Sequence, residues 1–295
     1  MADVQSKTKL LENEPLERYT SWRVGGKADR LYVPTGMNDL VEILSGIDPD
    51  DPIFFIGLGS NLLVRDGGVR GTVIVMHHAL KEVRVDGDYI YAEAGVTCGK
   101  LAKFSASNNN AGAEFMAGIP GTVGGALAMN AGCYGGVTWD IVYQVLTVDR
   151  HGNTHVRNAN EFIASYRNVE MPVLEEWFLG AWFELSVGSA QEANRKIKEL
   201  LATRLASQPL NFPSGGSTFR NPKGDYAARL IEASGLKGYQ IGGAKVSPKH
   251  ANFIINVGEC KALDIELLIR HMKEQVLEQQ GVELQQEVRV IGEYA

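Results

Sequence analysis

Glycine is the feature that most constrains this chain, because its 33 glycines are grouped rather than spread along the 295 residues. Five of them lie in residues 57–71, eight in residues 112–136 and seven in residues 215–243. Glycine has no Cβ, so a backbone rich in glycine can approach a ligand or another segment closely. The grouping therefore predicts ordered loops that approach a ligand, not a flexible chain.

Composition and charge exclude several classes of protein. The length favours two or three packed subdomains over one. The 29 basic and 35 acidic residues give a net charge of −6, without a block of like charge, so nucleic acid is not an expected partner. Three distant cysteines fit neither a disulfide framework nor a metal site, which favours a reducing compartment. Met1–Tyr19 lacks the apolar core of a signal peptide, and no apolar run approaches the roughly 18 residues of a membrane span. We expect a cytoplasmic protein with no bound metal, no membrane insertion and no obligate protein partner.

The secondary-structure pattern alternates short β-rich runs with a few helices. Turn residues at 86–88 and 151–153 predict two β-hairpins. Helices are predicted over residues 97–108, 190–205, 226–234 and 263–279, and strands over 53–56, 73–76, 177–185, 253–257 and 288–291. Prolines at 209 and 213 mark the best boundary, after which we expect a small α+β unit.

The first glycine segment, Gly57–Leu58–Gly59–Ser60–Asn61–Leu62, follows the predicted strand 53–56. Adjacent glycines let several backbone N–H groups point at one anion, and Ser60 and Asn61 add side-chain donors. The segment is not a GxGxxG dinucleotide fingerprint, since Leu62 stands at the third glycine position. Taken alone, it is consistent with a phosphate-binding loop or with a tight structural turn.

The second segment, Gly118–Ile119–Pro120–Gly121–Thr122–Val123–Gly124–Gly125–Ala126, continues to Met129–Asn130–Ala131–Gly132. A helix starting after Gly121 could present its N-terminus to a diphosphate. A close packing surface between two elements would demand the same small residues. Two such segments, neither of the Rossmann pattern, favour a nucleotide cofactor held by a different fold.

Three further segments carry residue types that suit chemistry. Arg167, in Tyr166–Arg167–Asn168, is by itself typical of a solvated or ion-paired surface group. Ser217 follows two glycines and can lie on a sharp turn with its hydroxyl exposed, although no GxSxG elbow of a hydrolase is present. Glu287 and Arg289 would share one face of a strand at period two, or form a surface ion pair on an edge strand.

Both glycine segments, together with Ser21–Trp22–Arg23–Val24–Gly25–Gly26, resemble the signatures of the UDP-N-acetylenolpyruvoylglucosamine reductase family. The similarity runs from about residue 19 to residue 292. It implies an α+β fold, with a two-part FAD-binding unit of the vanillyl-alcohol-oxidase-like (PCMH) type and a C-terminal α+β substrate-binding subdomain. The implied division is 1–76 with 288–295 returning to it, 77–204, and 205–287. Too few residues separate Arg167 from Ser217 for the tyrosine-bearing loop of one branch, so the chain resembles the shorter branch.

The resemblance also implies an activity: an NADPH-dependent enzyme with non-covalent FAD that reduces an enolpyruvyl UDP-sugar to UDP-N-acetylmuramate in peptidoglycan precursor synthesis. The family's catalytic arginine, serine and glutamate correspond to Arg167, Ser217 and Glu287. The implied FAD contacts are Phe55, Gly57, Gly59, Ser60, Asn61, Leu62, Pro120, Thr122, Gly125, Ala131, Gly132 and Arg289. The implied substrate contacts are Tyr166, Arg204 and Asn221.

Two alternatives remain open. A flavin oxidase on the same type of fold would often tether its flavin through histidine or cysteine in the first glycine segment, where this chain has Ser60 and Asn61. A nucleotide-binding module could keep the glycine segments without chemistry. The simultaneous presence of Arg167, Ser217 and Glu287 argues against such a module, since a binder needs no proton donor.

Overall fold

The computed structural model describes residues 9–295. The first eight residues of Met1–Tyr19, on which the signal-peptide argument partly rests, lie outside the described residues. The helices are α1 Met37–Ser45, α2 Cys98–Ser107, α3 Val123–Met129, α4 Ala190–Ser207, α5 Ala227–Ala233 and α6 Ala262–Gln280. Short 3₁₀ turns are Leu16–Tyr19, Glu114–Gly118, Thr138–Ile141 and Ala159–Glu161.

Short strands predominate, as the sequence predicts. The strands are β1 Lys9–Pro15, β2 Lys27–Val33, β3 Ile53–Ile56, β4 Leu62–Val64, β5 Val69–Val75, β6 Val83–Asp86, β7 Tyr89–Glu93, β8 Asn110–Ala111, β9 Gly132–Cys133, β10 Gly136–Val137, β11 Val142–Asp149, β12 Thr154–Asn158, β13 Ile163–Ser165, β14 Asn168–Glu170, β15 Glu176–Glu184, β16 Ser186–Val187, β17 Ser214–Ser217, β18 Gln240–Ile241, β19 Ala244–Val246, β20 Phe253–Asn256 and β21 Arg289–Ile291.

Local sequence signals explain several of these elements. Both predicted hairpins are confirmed, since β6 pairs antiparallel with β7 and β11 with β12. The predicted helix 97–108 is confirmed as α2, whose N-cap is Thr97: its hydroxyl accepts a hydrogen bond from the Lys100 N–H. Helix α6 ends at Gly281, which adopts the left-handed conformation that favours glycine. Helix α1 is missing from the sequence prediction, although Leu40, Ile43 and Leu44 give it a buried face at helical spacing.

The chain folds into two compact units, each assembled from separated segments. The first unit contains described residues up to 12, then 30–58 and 71–203, and the second contains 13–29, 59–70 and 204–295. A four-stranded sheet has the order β1-β2-β5-β3, with β3 parallel to β5. The three-part division expected from the sequence stays a prediction.

In the first unit, a five-stranded sheet of order β12-β11-β15-β7-β6 is antiparallel throughout. Its core includes Leu101 of α2, Leu127 of α3 and Phe183 of β15. A second cluster packs Leu40 and Leu44 of α1 with Ile74 of β5. Burial of these side chains places α2 and α3, and with them the second glycine segment, beside the sheet.

In the second unit, the sheet order is β17-β20-β19-β18, and β21 pairs in parallel with β4. The side chains of α5 and α6 pack with Trp22, Leu63 and Phe219 in one core. Asp66 accepts hydrogen bonds from the N–H groups of Ala262 and Leu263, so a loop distant in sequence caps the start of α6. None of the helices within residues 9–295 has the length and apolar content needed to cross a bilayer.

Candidate functional site

The first glycine segment forms a loop between β3 and β4. Within residues 9–295, none of the backbone N–H groups from Gly57 to Asn61 donates a hydrogen bond to the protein. Gly59 has φ +60°, and a Cβ there would collide with the carbonyl oxygen of Tyr19. Consecutive N–H groups that need acceptors are what a phosphate-binding loop presents, so this loop fits the diphosphate of a nucleotide cofactor.

The second glycine segment meets the first within the first unit. A Cβ on Gly57 would collide with the hydroxyl of Thr122, so these two loops require glycine where they touch. Helix α3 begins at Val123, as the sequence predicts, and Thr122 caps it by accepting a hydrogen bond from the Gly125 N–H. The remaining N–H groups here are mostly used internally: Val123 donates to Val96 and Gly124 to Ala94. This segment therefore supports the first loop through packing.

Arg167 lies at the tip of a hairpin in the same unit. It occupies the two-residue turn between β13 and β14 with φ +57°. Its guanidinium donates to the carbonyl oxygen of Gly132 at 2.8 Å and to that of Asn130 at 3.4 Å. Asn130 in turn donates from its side chain to the Ser165 carbonyl at 3.0 Å. The predicted catalytic arginine is thus anchored on the chain that follows α3.

Tyr166 precedes Arg167 in the same turn, and half of its surface is exposed. The Arg167 guanidinium lies 5.3 Å from the centre of the Tyr166 ring, within cation–π range. Because arginine stays protonated, these contacts hold a permanent positive charge at a defined place. An anionic substrate group could use that charge.

Ser217 ends strand β17 in the second unit. The sequence predicts a sharp turn here, whereas the structure has a strand whose pairing with β20 is irregular between Ser214 and Ser217. The irregularity centres on Gly216, at φ +75°, and Ser217 itself is half-buried. A Cβ on Gly216 would lie 3.9 Å from the carbonyl oxygen of Ser60. The first glycine loop therefore runs directly beside the Ser217 strand.

Glu287 lies next to Ser217 through backbone pairing. Its N–H donates to the carbonyl oxygen of Thr218 at 2.9 Å, and its own carbonyl accepts from the side chain of Asn61 at 3.1 Å. The predicted shared face of Glu287 and Arg289 is wrong, because the chain bends at Val288 and β21 begins only at Arg289. The bend lies where this segment changes its pairing partner: Glu287 pairs with Thr218, whereas β21 pairs with β4.

The other predicted contacts are distributed over both units. In the first unit the Phe55 ring stacks on Trp177 at 4.8 Å, Pro120 is exposed, and the Ala131 carbonyl accepts from Thr138. In the second unit Leu62 begins β4, and Arg289 is exposed, with its N–H donating to the Asn61 carbonyl. Arg204 donates to the Gln208 side chain, and the Asn221 side-chain oxygen accepts from the Ala227 N–H at the start of α5. Their roles toward cofactor and substrate stay predictions.

Two positions near Ser217 were missed by the sequence analysis. The hydroxyl of Ser21 donates to the Ser214 carbonyl at 2.7 Å, while its N–H donates to the Gly59 carbonyl at 3.2 Å. Ser21 thereby links the first glycine loop to the strand of Ser217. Asn252, in the loop before β20, forms hydrogen bonds with residues 218 and 219. Ser21 belongs to a motif that the sequence analysis noted, but Asn252 leaves no local signal.

Cysteine chemistry beside the glycine segments is unfavourable. Cys98 donates its N–H to the Gly121 carbonyl, and burial raises the pKa of its thiol to about 12. A thiol with that pKa is protonated at neutral pH and is a poor nucleophile. Cys133 donates from its sulfur to the Phe115 carbonyl. Within residues 9–295, no three His, Cys, Asp or Glu side chains are grouped to hold a metal ion.

Comparison with protein families divides the chain into two matched regions. Residues 28–157 match the family described as "FAD binding domain", and residues 208–291 match "UDP-N-acetylenolpyruvoylglucosamine reductase, C-terminal domain". These matches agree with the α+β fold class predicted from the sequence.

Known proteins extend the similarity over nearly the whole chain. The UDP-N-acetylenolpyruvoylglucosamine reductase of Thiobacillus denitrificans is 51% identical over 300 residues, covering 97% of this chain and 93% of the relative. The reductase of the same name from Methylococcus capsulatus is 52% identical over 289 residues, covering 98% and 95%. The crystal structure of the Thermus caldophilus reductase superposes with a TM-score of 0.81 at 31% identity, covering 97% of this chain and 99% of that one.

Proposed function

The chain belongs to the UDP-N-acetylenolpyruvoylglucosamine reductase family of FAD-dependent oxidoreductases, and we propose that it uses NADPH to reduce the enolpyruvyl group of its UDP-sugar substrate to UDP-N-acetylmuramate. One observation carries the proposal. The end of the first glycine loop, the Ser217 strand and Glu287 touch one another in the second unit: Ser60 lies beside Gly216, Asn61 donates to Glu287, and Glu287 donates to Thr218.

The loop Gly57–Asn61 would hold the diphosphate of FAD, because its N–H groups need acceptors. Bound there, FAD would supply the redox chemistry that connects NADPH to C3 of the enolpyruvyl group. The protein's own side chains then have to handle the negative charge that develops toward the substrate carboxylate and the proton that C2 requires.

Arg167 suits the developing charge. Its guanidinium is always protonated and is held by the carbonyl oxygens of Asn130 and Gly132, so little reorganisation is needed when charge builds up. Arg167 would bind the substrate carboxylate and stabilise the enolate-like state that follows addition at C3.

Ser217 is the proposed proton donor to C2. A hydroxyl is a weak acid in water, but a well-positioned hydroxyl can protonate a strongly basic carbanion-like centre. Hydride at C3 and a proton at C2 together saturate the double bond, which balances the reaction. Glu287, on the neighbouring segment, would orient or stabilise the reacting group.

The test separates the two half-reactions. Purified protein should be yellow, should release its flavin on acid precipitation, and should be bleached by NADPH under anaerobic conditions and recoloured by the enolpyruvyl UDP-sugar. Ser217→Ala should keep bleaching by NADPH and lose recolouring, whereas Ser214→Ala on the same strand should keep both. Normal turnover in Ser217→Ala would remove the proton-donor assignment. Colourless protein that cannot take up FAD would overturn the flavoenzyme proposal as a whole.

A further inference from the structure

Asn252 makes three hydrogen bonds to the two residues that follow Ser217. Its side-chain oxygen accepts from the Phe219 N–H at 3.0 Å, and its side-chain nitrogen donates to the Phe219 carbonyl at 2.8 Å. Its backbone carbonyl accepts from the Thr218 N–H at 2.8 Å. Asn252 is only 3% exposed, so these bonds form in a site shielded from water.

The bonds matter because ordinary strand pairing is interrupted at this point. The register between β17 and β20 shifts between Ser214 and Ser217, and Gly216 has a left-handed backbone. The chain before Ser217 is thus irregular, so the position of Ser217 depends on its own pairing with Phe253 and on what holds the chain after it. There the Asn252 side chain bonds both backbone groups of Phe219, as a neighbouring strand would do.

The same bonds also hold Thr218, the residue that pairs with Glu287. The Thr218 carbonyl oxygen accepts a hydrogen bond from the Glu287 N–H, and the Thr218 N–H donates to the Asn252 carbonyl. Phe219, held by the Asn252 side chain, also pairs with Gln286. A shift of residues 218 and 219 would therefore move Ser217 and Glu287 together.

Resting on the proposed function, we infer that Asn252 is a positioning residue that orients Ser217 for delivery of its proton to the substrate. Asparagine is suited to this place because one carboxamide offers an acceptor and a donor side by side, matching the N–H and the carbonyl of a single residue. Alanine offers neither group, and an ionised aspartate offers no donor. A misplacement of about 1 Å at a reacting group can cost about 100-fold in rate.

The experiment compares Asn252→Ala with Asn256→Ala. Asn256 lies on β20, and its side chain bonds the Trp22 carbonyl at 2.9 Å and the Gly258 N–H at 2.9 Å instead of residues 218 and 219. Asn252→Ala should slow recolouring of the reduced flavin by saturating enolpyruvyl UDP-sugar by about 10- to 100-fold. Bleaching by NADPH should stay within about twofold of wild type, since that step does not use Ser217. Asn256→Ala should leave both rates within about twofold.

A solvent isotope effect tests the assigned step. If proton delivery has become slower, the deuterium isotope effect on recolouring should be larger in Asn252→Ala than in wild type, and unchanged in Asn256→Ala. A merely structural role would lower flavin content and both half-reactions together. Equal losses in the two half-reactions, or unaltered recolouring, would overturn the inference.

Asn252→Asp gives a second measurement in case alanine impairs folding. When protonated, the new carboxyl group again offers a donor and an acceptor, and when ionised it cannot donate. Its recolouring rate should therefore approach that of wild type toward low pH and fall at high pH, relative to the wild-type profile. Wild-type rates at high pH would contradict the inference. Wild-type protein that NADPH bleaches but the UDP-sugar never recolours would instead contradict the proposed function.

Discussion

The two glycine-rich loops have similar compositions, and glycine permits close packing in both, but their backbone N–H groups are used differently. In the loop Gly57–Asn61, the backbone N–H groups have no acceptor within residues 9–295. In the segment Gly118–Gly132, N–H groups are largely used, and the glycines face other parts of the protein: an ideal Cβ on Gly118 would lie 2.7 Å from the Cys133 sulfur, and one on Gly124 would lie 2.9 Å from the Ala94 Cβ.

The comparison bears on the two interpretations that the sequence leaves open, close packing and anion binding. Close packing accounts for Gly118 and Gly124, and also for Gly132, whose Cβ would collide with the Gly136 carbonyl. In the first loop, Gly57 and Gly59 are also closely packed, but the backbone N–H groups have no acceptor within residues 9–295 and so suit the predicted anion binding. Gly125 fits neither description fully, because its Cβ would find only an ordinary contact, 3.7 Å from the Thr122 hydroxyl. Substitutions can separate these purposes.

The largest effect is expected for Gly59→Ala. Gly59 combines φ +60° with a collision against the Tyr19 carbonyl, so backbone strain of about 1–2 kcal/mol adds to overpacking of about 1–3 kcal/mol. Urea unfolding of the flavin-free protein measures the loss. The matched control is Gly87→Ala, which has the same φ of +60° but nothing within 4 Å, and which should lose only the strain. Equal losses in the two variants would show that the contact with Tyr19 contributes nothing.

An intermediate effect is expected for Gly124→Ala. Overpacking against Ala94 should lower the free energy of unfolding by about 1–3 kcal/mol. Because the close contact is to the Ala94 Cβ, adding Ala94→Gly should recover part of that loss, and a double-mutant cycle on the flavin-free protein measures the coupling. Additive losses of unfolding free energy would mean that the added methyl group at residue 124 does not clash with Ala94.

The smallest effect on the free energy of unfolding is expected for Gly125→Ala. This variant best separates close packing from cofactor contact. Alanine is favoured over glycine inside a helix by about 0.5–1 kcal/mol, and α3 has space for it, so the flavin-free protein should become slightly more stable. If Gly125 contacts the cofactor, flavin retention should nevertheless fall. Gly99→Ala in α2, with open space around it, should raise stability without changing flavin retention. Flavin binding unchanged in Gly125→Ala would remove this residue from the predicted FAD contacts.

Local signals explain how much of the fold the sequence could predict. The Thr97 cap, the turn residues of the two hairpins and the periodic apolar face of α6 all act over a few neighbouring residues, and the corresponding elements are present. The bend at Val288 could not be predicted in this way, because it depends on a change of pairing partner far away in sequence.

The candidate site follows the same rule. Arg167, Ser217 and Glu287 were identified through family motifs, and backbone pairing brings Glu287 next to the chain of Ser217. The supporting bonds from Ser21 to Ser214 and from Asn252 to Phe219 join residues that are 193 and 33 positions apart. Asn252 leaves no local signal, and the motif that contains Ser21 does not indicate its partner, so only the folded arrangement reveals these contacts.

The parallel pairing of β4 with β21 has a consequence for biosynthesis. Residues 62–64 are synthesised long before their partners, residues 289–291. Asp66 likewise can cap α6 only after residues 262 and 263 have been synthesised. Domains tend to fold as units during translation, yet the second unit cannot be completed until residues 289–291 have been synthesised. The contact of the first glycine loop with Glu287 therefore forms long after the loop itself has been synthesised.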